Sequence, residues 1–357
     1  MAEVIEQRDE LAALWEWFAG TLLPDYSPLY TRIAGSVAQD RAVLDLVREA
    51  PPEAHMPLVL LAAVHYLVLG GVDHPLAAVY AGRSRRDPAP LFHDLCMRYR
   101  REVLELMSRR RVQTNEVGRS ALLGPALTHI TRAHGTPLHL VDVGASAGLN
   151  LCCDRYLLDY GEWGRSGPPG APVHISCEVR GGNPPVAARL GPISARVGID
   201  LDPVDVDDPA DVQWLLACVW PDTGRLERTR RAIDVARRQR PRVEGGDAVE
   251  VLPAVLGDLP AEGVTCVVTT WVMAYLSPDK RAGFVELLAE WGNRRPVVWI
   301  CGESVGVVEA LRGVEPGESG DPAAGEVLTA VSFHAGSVEP KLLARVHPHG
   351  RWLDWEG

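Results

Sequence analysis

The hydrophobic positions of the first hundred or so residues recur at the spacing of an amphipathic helix. Leu11, Leu14, Trp15 and Phe18 follow this period. Proline residues divide the segment into helices of moderate length, and no alternation typical of a strand precedes residue 138. The pattern predicts an all-helical N-terminal lobe over residues 1–112.

From residue 138 onward, short apolar runs alternate with helical stretches. The apolar runs lie at 138–143, 173–177, 196–200, 242–247, 264–269 and 296–301. The helical stretches lie at 149–160, 214–220, 226–238 and 278–291. Apolar strands that alternate with helices are typical of a parallel, doubly wound sheet with both faces covered.

Two alternating segments near the end, 326–333 and 341–347, flank a glycine-containing turn and predict an antiparallel hairpin. A parallel sheet that finishes in such a hairpin is the arrangement of class I methyltransferases, in contrast to dehydrogenases. We therefore expect an α/β fold over residues 113–357. Its core would be a Rossmann-like, class I methyltransferase-type doubly wound sheet of about seven strands.

Composition and charge narrow the class of partner. Hydrophobic residues make up 46% and charged residues 23% of the chain, which is ordinary for a globular protein with a core. Lys and Arg total 36 against 47 Asp and Glu, and the net charge of −11 argues against nucleic acid as a partner. The first residues do not resemble a secretory signal, and the most apolar run is too short for a membrane span. We expect a cytoplasmic protein that does not enter a membrane.

Cysteines and histidines show no metal pattern. The seven cysteines form no CxxC pair and suit reduced core thiols. Among the eleven histidines only His347 and His349 stand at metal spacing, beside Pro348 in a terminal turn. We therefore expect no metal.

The most informative string is the glycine-rich LVDVGASAGLN, residues 140–150, which follows the first predicted strand. The dinucleotide fingerprint needs glycine at the first, third and sixth loop positions. Those positions hold Gly144, Ser146 and Leu149, so the fingerprint fails at two of three. A looser pattern, an acid followed by Gly-x-small-x-Gly, is met by Asp142, Gly144, Ser146 and Gly148.

This looser pattern resembles the first motif of class I methyltransferases, which implies S-adenosylmethionine as the cofactor. In that family the acid lies near the amino group and sulfonium of the cofactor, and the glycines leave room for its methionine and ribose portions. The loop residues that the resemblance assigns to the cofactor are Asp142, Gly144, Ala145, Ser146, Gly148 and Asn150. A tight strand-to-helix turn that needs its glycines for packing alone is the alternative.

Two later acids fit the same resemblance. Methyltransferases of this class place an acid at the end of the second strand to bind the ribose, and Asp200 is favoured over Glu178 for that position. An Asp after the third strand accepts a hydrogen bond from the adenine amino group, a role that Asp247 would fill. A plain acidic turn at Asp200 and a helix cap at Asp247 are the alternatives.

Three side chains after the fourth and fifth predicted strands are candidates for the methyl-transfer end of the site. Trp271 and Tyr275 stand four residues apart, which would place them on one helical face as pocket walls or as core aromatics. We assign Trp271 to the cofactor and Tyr275 to catalysis. Glu303, after the fifth strand, is a candidate base, or else a helix cap.

A second polar string, RVQTNEVGR at 111–119, precedes the first strand. Asn115 and Arg119 are candidate substrate-binding residues, because an arginine fork pairs well with a carboxylate of the cofactor or the substrate. Glu116 is a candidate to remove a proton from the acceptor. The alternative is an ordinary helix start with Thr114 as cap and Glu116 in the first turn.

Four strings, QTNEVGR, VDVGASAGLNL, GIDLDPVDV and HGRWLDW, together resemble a bacterial family catalogued as domain of unknown function 2332, over nearly the whole chain. That resemblance implies no activity. The function predicted from the sequence is therefore that of an S-adenosylmethionine-dependent methyltransferase acting on an unknown small molecule, in an unknown oligomeric state.

Two other functions remain open at this stage. One is a non-catalytic ligand-binding or regulatory protein with the same fold. The other is a nicotinamide-dependent oxidoreductase, which the failed fingerprint and the terminal hairpin disfavour.

Overall fold

The computed structural model describes residues 2–24, 26–135, 137–314 and 325–357. The chain divides into two compact units. The first comprises Met1–Thr114 and Asp207–Arg230, and the second comprises Asn115–Val206 and Arg231–Gly357. The segment 207–230 lies within the range that the sequence analysis assigned to the α/β domain.

The regular elements among the described residues of the first unit are all helices, as the pattern predicts. Its helices are α1 (Ala2–Trp17), α2 (Pro28–Val37), α3 (Arg41–Glu49), α4 (Pro57–Leu69), α5 (Leu76–Tyr80), α6 (Pro88–Arg98), α7 (Arg100–Arg109) and α9 (Pro209–Ala217). Several helices start with proline just after a capping side chain, as in α2, where Ser27 Oγ accepts the N–H of Tyr30 at 3.0 Å. The buried faces form one core that includes Trp15, Tyr30 and Trp214.

The second unit is built on a nine-stranded, mostly parallel sheet in the order β5-β12-β11-β10-β9-β8-β1-β6-β7. The strands are β1 (Leu138–Val143), β5 (Glu178–Gly181), β6 (Ile193–Asp200), β7 (Arg242–Gly245), β8 (Val264–Thr270), β9 (Val297–Ser304), β10 (Glu326–His334), β11 (Ser337–Val346) and β12 (Trp352–Trp355). Its helices are α8 (Ser120–His134), α11 (Ala248–Asp258) and α12 (Pro278–Gly292), while α10 (Arg225–Gln239) begins in the first unit. The predicted α/β class and the antiparallel strands at the C-terminus are confirmed.

The parallel strands β7-β6-β1-β8-β9 place the ends of β1 and β8 at a topological switch point. The chain leaves β1 toward β6 on one side and leaves β8 toward β9 on the other. Ligands of doubly wound sheets bind outside the carboxyl ends of the strands at this position. Strands β1 and β8 are buried along their whole length, as is usual for parallel strands that are covered on both faces.

Several expectations about elements are wrong. The predicted helix at 149–160 is a short 3-10 helix, Leu149–Arg155, followed by β2 (Leu157–Asp159). The predicted strand at 173–177 is β4 (His174–Ser176), which pairs with β2, and β2 with β3 (Arg165–Ser166), in a separate three-stranded sheet. The main sheet has nine strands instead of seven because β12 pairs with β11 and β5 extends the edge.

Candidate ligand-binding site

The glycine loop after β1 has the conformation that its glycines allow. Gly144 and Gly148 have φ values of +79° and +69°, in the left-handed region that favours glycine. A Cβ on Gly144 would lie 2.1 Å from Cγ2 of Val272. Packing against Val272 is therefore enough to explain why a glycine stands at position 144. The space beside this glycine is filled by the Val272 side chain.

Asp200, at the end of β6, holds the loop in place. Its Oδ2 accepts the N–H of Ser146 at 2.8 Å, and its Oδ1 accepts the N–H of Asp202 at 3.0 Å. Ser146 has a positive φ of 52°, and its buried hydroxyl has no hydrogen-bond partner among the described residues. Ala145 packs at the same turn, where a Cβ on Gly198 would lie 2.6 Å from the Ala145 Cβ.

The structure separates the two acids that the sequence left as alternatives for the ribose. Asp200 contacts the glycine loop, whereas Glu178 lies on β5 at the far edge of the sheet. The backbone N–H of Glu178 donates to the carbonyl of Arg351 at 2.8 Å. Only Asp200 is therefore within reach of a ligand bound at this loop.

Two amide side chains of the predicted site support the loop from the side of α8. Asn115 Oδ1 accepts the N–H of Leu149 at 3.0 Å, and Asn150 Oδ1 accepts the hydroxyl of Ser120 at 2.9 Å. Both asparagines are buried. Their oxygens fix the backbone around the loop, which is a structural role for each.

Arg119 is a buried cation that forms no ion pair among the described residues. Its side chain donates from Nε to the carbonyl of Pro348 at 3.1 Å and from Nη1 to the carbonyl of Thr270 at 2.9 Å. Its guanidinium carbon lies 4.6 Å from the centre of the Trp271 ring, a cation–π contact. Within the described chain, Nη2 makes no hydrogen bond.

The electrostatic surroundings of Arg119 are acidic. Burial lowers the pKa of its guanidinium, and several nearby carboxyl groups oppose that shift: Glu116, Glu303 and Asp142. Buried charges in proteins are normally paired. A guanidinium that is 8% exposed and lacks an ion pair is therefore suited to an anionic group of a ligand.

Asp142, at the end of β1, is the opposite charge at the same place. It is 4% exposed, and no hydrogen bond to its carboxyl group occurs among the described residues. Burial raises its pKa to about 7; Arg119 acts to lower it and Asp200 to raise it further. A buried carboxyl group without a donor is suited to a cationic group of a ligand.

Glu303, at the end of β9, binds the backbone of the segment that follows β8. Its Oε1 accepts the N–H groups of Val272 and Met273, each at 2.6 Å, and its Oε2 is buried with no partner in the part of the chain that the structure describes. Burial raises the pKa of Glu303 to about 7, which those two backbone hydrogen bonds oppose. The carboxylate caps the turn after β8, and does not cap a helix after β9.

Trp271 lies in a strained conformation beside these groups. Its φ is +54°, which is unusual for an aromatic residue. Three contacts hold it: its N–H donates to the carbonyl of Gly302 at 2.7 Å, its indole N–H donates to Glu326 Oε2 at 2.6 Å, and its ring contacts Arg119. The expectation that Trp271 and Tyr275 share a helical face is wrong, because only Met273–Tyr275 form a short 3-10 turn.

Of two further predicted residues, one is exposed and the other is engaged elsewhere. The side chain of Tyr275 is 74% exposed. Asp247 caps α11 through the N–H of Val249 at 3.0 Å and forms an ion pair with Lys280 at 2.6 Å. The Lys280 ammonium lowers the pKa of Asp247, and both oxygens of this carboxylate are engaged, one by Val249 and one by Lys280.

Glu116 and a histidine that the sequence analysis set aside form a pair. Glu116 Oε1 accepts the N–H of Gly118 at 2.8 Å and caps the 3-10 turn Val117–Arg119, so Thr114 is not the cap. Glu116 Oε2 lies 3.3 Å from Nδ1 of His349. The signal for His349 was the string HGRWLDW, which carried the family resemblance without an assigned role.

Glu326 and Val272 were also missed. Glu326 accepts from the Trp271 indole and from the hydroxyl of Ser304, which lies 2.9 Å away. Burial raises the pKa of Glu326, and both of these donors oppose that shift. Nothing in the local sequence marks either residue, because their importance depends on pairing between β9 and β10 and on the turn after β8.

The described residues contain no group of three or more His, Cys, Asp or Glu side chains that could hold a metal ion. None of the described helices is both long and apolar enough to cross a membrane.

Sequence comparison identifies the family to which this chain is similar. No protein of established description matches the chain significantly. A family model described as "Uncharacterized protein conserved in bacteria (DUF2332)" matches residues 12–355. These residues include the glycine loop, Arg119, Glu303 and the terminal turn. The chain therefore belongs to the bacterial family of domain of unknown function 2332.

Proposed function

We propose that this protein is an S-adenosylmethionine-dependent methyltransferase that acts on a small molecule. The parallel strands β7-β6-β1-β8-β9, followed by antiparallel strands, resemble the arrangement of class I methyltransferases. The glycine loop follows the central strand β1, at the switch point where ligands of such sheets bind. Fold likeness is weak support for function, so the proposal depends on the side chains at that point.

The observation that carries the proposal is the pair of buried, unpaired charges at the switch point. Arg119 and Asp142 affect each other's pKa, yet they form no ion pair with each other in the described structure. The methionine portion of S-adenosylmethionine carries a carboxylate and an ammonium group. We assign the carboxylate to Nη2 of Arg119 and the ammonium group to Asp142.

The remaining residues define the rest of the site. Asp200 orients the loop through the N–H of Ser146, and we assign the ribose hydroxyls to the same carboxylate. The bound cofactor would supply an electrophilic methyl group on a sulfonium. The protein would act mainly by holding the acceptor nucleophile at about 3 Å from that methyl group and by excluding water.

Gly144 is a poor position for testing this proposal. Because a Cβ there would collide with Val272, any substitution disrupts the loop whether or not a ligand binds. Asp142→Asn removes its charge with almost no change of volume, and Arg119→Gln replaces the guanidinium with a shorter, neutral amide. Glu286→Gln, on the exposed face of α12, is a matched control that changes one charge away from the site.

The test is a calorimetric titration of the wild type and the three variants with S-adenosylmethionine and with NAD. A hydrogen bond to a charged group contributes about 1.5–3 kcal/mol, or roughly 10- to 100-fold in affinity. We expect each site variant to lose about that factor for S-adenosylmethionine, Glu286→Gln to lose none, and NAD not to bind. Equal affinity of Asp142→Asn and the wild type would remove the assignment.

A non-catalytic ligand-binding protein is the second candidate, and the position of Tyr275 favours it. This tyrosine, assigned to catalysis from the sequence, has a largely exposed side chain. Incubation of the protein with methyl-labelled S-adenosylmethionine and bacterial small-molecule extracts distinguishes the two candidates. Label in a new product supports the transferase, whereas tight binding with unchanged label supports the binding protein.

A further inference from the structure

The turn after β8 contacts both Arg119 and the glycine loop. The carbonyl of Thr270 accepts from Nη1 of Arg119 at 2.9 Å, and the ring of Trp271 has its centre 4.6 Å from the guanidinium carbon. The next residue, Val272, packs against the loop, where a Cβ on Gly144 would lie 2.1 Å from its Cγ2. Three consecutive residues therefore set the distance between Arg119 and the glycine loop.

Trp271 holds its place in this turn against its own backbone preference. Its φ of +54° lies in the left-handed region, which a residue with a bulky side chain rarely adopts. Such a conformation persists only where the surroundings impose it. Here the Trp271 N–H donates to the carbonyl of Gly302 at 2.7 Å, and the indole N–H donates to Glu326 Oε2 at 2.6 Å. The position of the ring over Arg119 is therefore imposed by β9 and β10.

Glu326 is fixed by the pairing of those two strands. It stands opposite Ser304 in the register of β10 and β9, and its Oε1 accepts the Ser304 hydroxyl at 2.9 Å. One oxygen is thus bound to the sheet and the other to the indole. Arg119 acts to lower the pKa of Glu326, so the two charges are close enough to interact. The carboxylate reaches the guanidinium through the ring of Trp271, which lies against Arg119.

The contacts of Arg119 fix the direction of its remaining nitrogen. Nε donates to the Pro348 carbonyl at 3.1 Å, Nη1 donates to the Thr270 carbonyl, and one face of the guanidinium lies on the Trp271 ring. Because a guanidinium is planar and its N–H groups form a rigid fork, these three contacts determine where Nη2 points. A hydrogen bond from Nη2 to a carboxylate depends on that direction. Movement of the indole would release it.

We infer that Glu326 and Trp271 position Arg119, and that through Arg119 they set the specificity of the site for ligands that carry a free carboxylate. The inference rests on the proposed function for the identity of the ligand. Glu326 holds the indole, the indole holds the guanidinium, and Nη2 of the guanidinium binds the carboxylate. Both residues are positioning residues, because each acts on the ligand through Arg119.

The experiment measures, by calorimetry, the preference for S-adenosylhomocysteine over 5′-methylthioadenosine, which lacks the carboxylate and the amino group. We expect Glu326→Ala to reduce the wild-type preference at least about threefold, the effect of one cation–π contact, with the affinity for methylthioadenosine unchanged. Glu326→Gln keeps an oxygen for the indole N–H and should hold the preference within about twofold of wild type. A general loss of folded protein would lower binding of both compounds and leave their ratio unchanged.

Two further variants and a control separate positioning from other roles. Trp271→Phe keeps an aromatic ring without the indole N–H and should lose preference as Glu326→Ala does. The double variant Arg119→Gln/Glu326→Ala should lose no more than Arg119→Gln alone, because Glu326 acts through Arg119. Trp291→Leu is the matched control. Trp291, in the last turn of α12, makes cation–π contacts of 4.7 and 5.6 Å with Arg294 and Arg295, and its loss should leave the preference unchanged.

A measurement without ligand tests the link itself. The Nε–H signal of Arg119 in nitrogen-15 NMR, assigned by its loss in Arg119→Gln, should move in Glu326→Ala and keep its wild-type position in Trp291→Leu. An unmoved Arg119 signal in Glu326→Ala, equal losses of preference in Glu326→Ala and Glu326→Gln, or additive losses in the double variant would overturn the inference. If the wild type binds neither compound, the proposed function fails, and the NMR signal still decides whether Glu326 positions Arg119.

Discussion

At the scale of single residues, the site is defined by charges that the fold buries and leaves without partners. Asp142 and Arg119 could each be selected from the sequence, because each stands in a string whose local alternative does not explain it. Their shared position could not be selected, because 23 residues and the whole of α8 separate them. The contact between the terminal turn (347–351) and Gly118 was equally invisible, since it joins segments that lie far apart in the chain.

Asp142 should make stability depend on pH in a known direction. Burial raises its pKa from the ordinary 3.8 to about 7, so the folded state holds this proton more tightly than the unfolded chain. The stabilisation is complete below pH 3.8 and is lost as the pH rises through 7. Asp142→Asn removes this term, so its free energy of unfolding relative to wild type should increase between pH 4 and pH 7.

Chemical denaturation at several pH values measures that difference. One pKa unit corresponds to about 1.4 kcal/mol, so a change on the order of a few kcal/mol is expected without ligand. Asp258→Asn, at an exposed position, serves as the control. Its free energy of unfolding should change with pH as that of the wild type does. A constant difference between Asp142→Asn and wild type would show that Asp142 is not buried as an acid.

At the scale of elements, the sequence predicted what depends on local pattern. The parallel strands around the site and the hairpin of β10 and β11 follow from apolar runs and alternation. The expected helix at 149–160 fails because a 3-10 helix and then β2 take its place. The expected helix carrying Trp271 and Tyr275 fails because Glu303 and Glu326 hold the turn after β8 in a conformation that no local rule favours.

The terminal turn should be sensitive to one methyl group. Gly350→Ala adds a Cβ against the Gly118 carbonyl in a left-handed conformation, whereas Gly336→Ala adds one at a similar φ of +84° with no close neighbour. We expect a loss of about 1 kcal/mol for Gly336→Ala and about 2–4 kcal/mol for Gly350→Ala. Urea denaturation measures both, and equal losses would mean that the turn does not sit against Gly118.

The turn after β8 should depend on the oxygens of Glu303. Glu303→Ala leaves the N–H groups of Val272 and Met273 without their acceptor and should cost about 2–4 kcal/mol in the free energy of unfolding. Glu303→Gln keeps an acceptor oxygen and should cost clearly less. If the two substitutions cost the same, the carboxylate contributes through its charge and not through these hydrogen bonds.

At the scale of the whole molecule, topology could be predicted only where neighbours in the sheet follow each other along the chain. The parallel pairing of β12 with β5 joins residues 352–354 to 178–181 and leaves no local signal. Segment 207–230 also has no local signal: it belongs to the first unit, although the residues before and after it belong to the second. The switch point between β1 and β8 follows from the strand order, and it is there that the unpaired charges lie.

The central claim is that Arg119 and Asp142 bind the two charged ends of a methionine portion. The most direct measurement compares, by calorimetry, S-adenosylhomocysteine with 5′-methylthioadenosine, which lacks the amino and carboxylate groups, on wild type and Asp142→Asn. The account predicts that wild type binds S-adenosylhomocysteine at least about 10-fold more tightly, and that Asp142→Asn loses much of this advantage while binding methylthioadenosine unchanged. Equal affinity of wild type for the two compounds, or binding of neither, would contradict it.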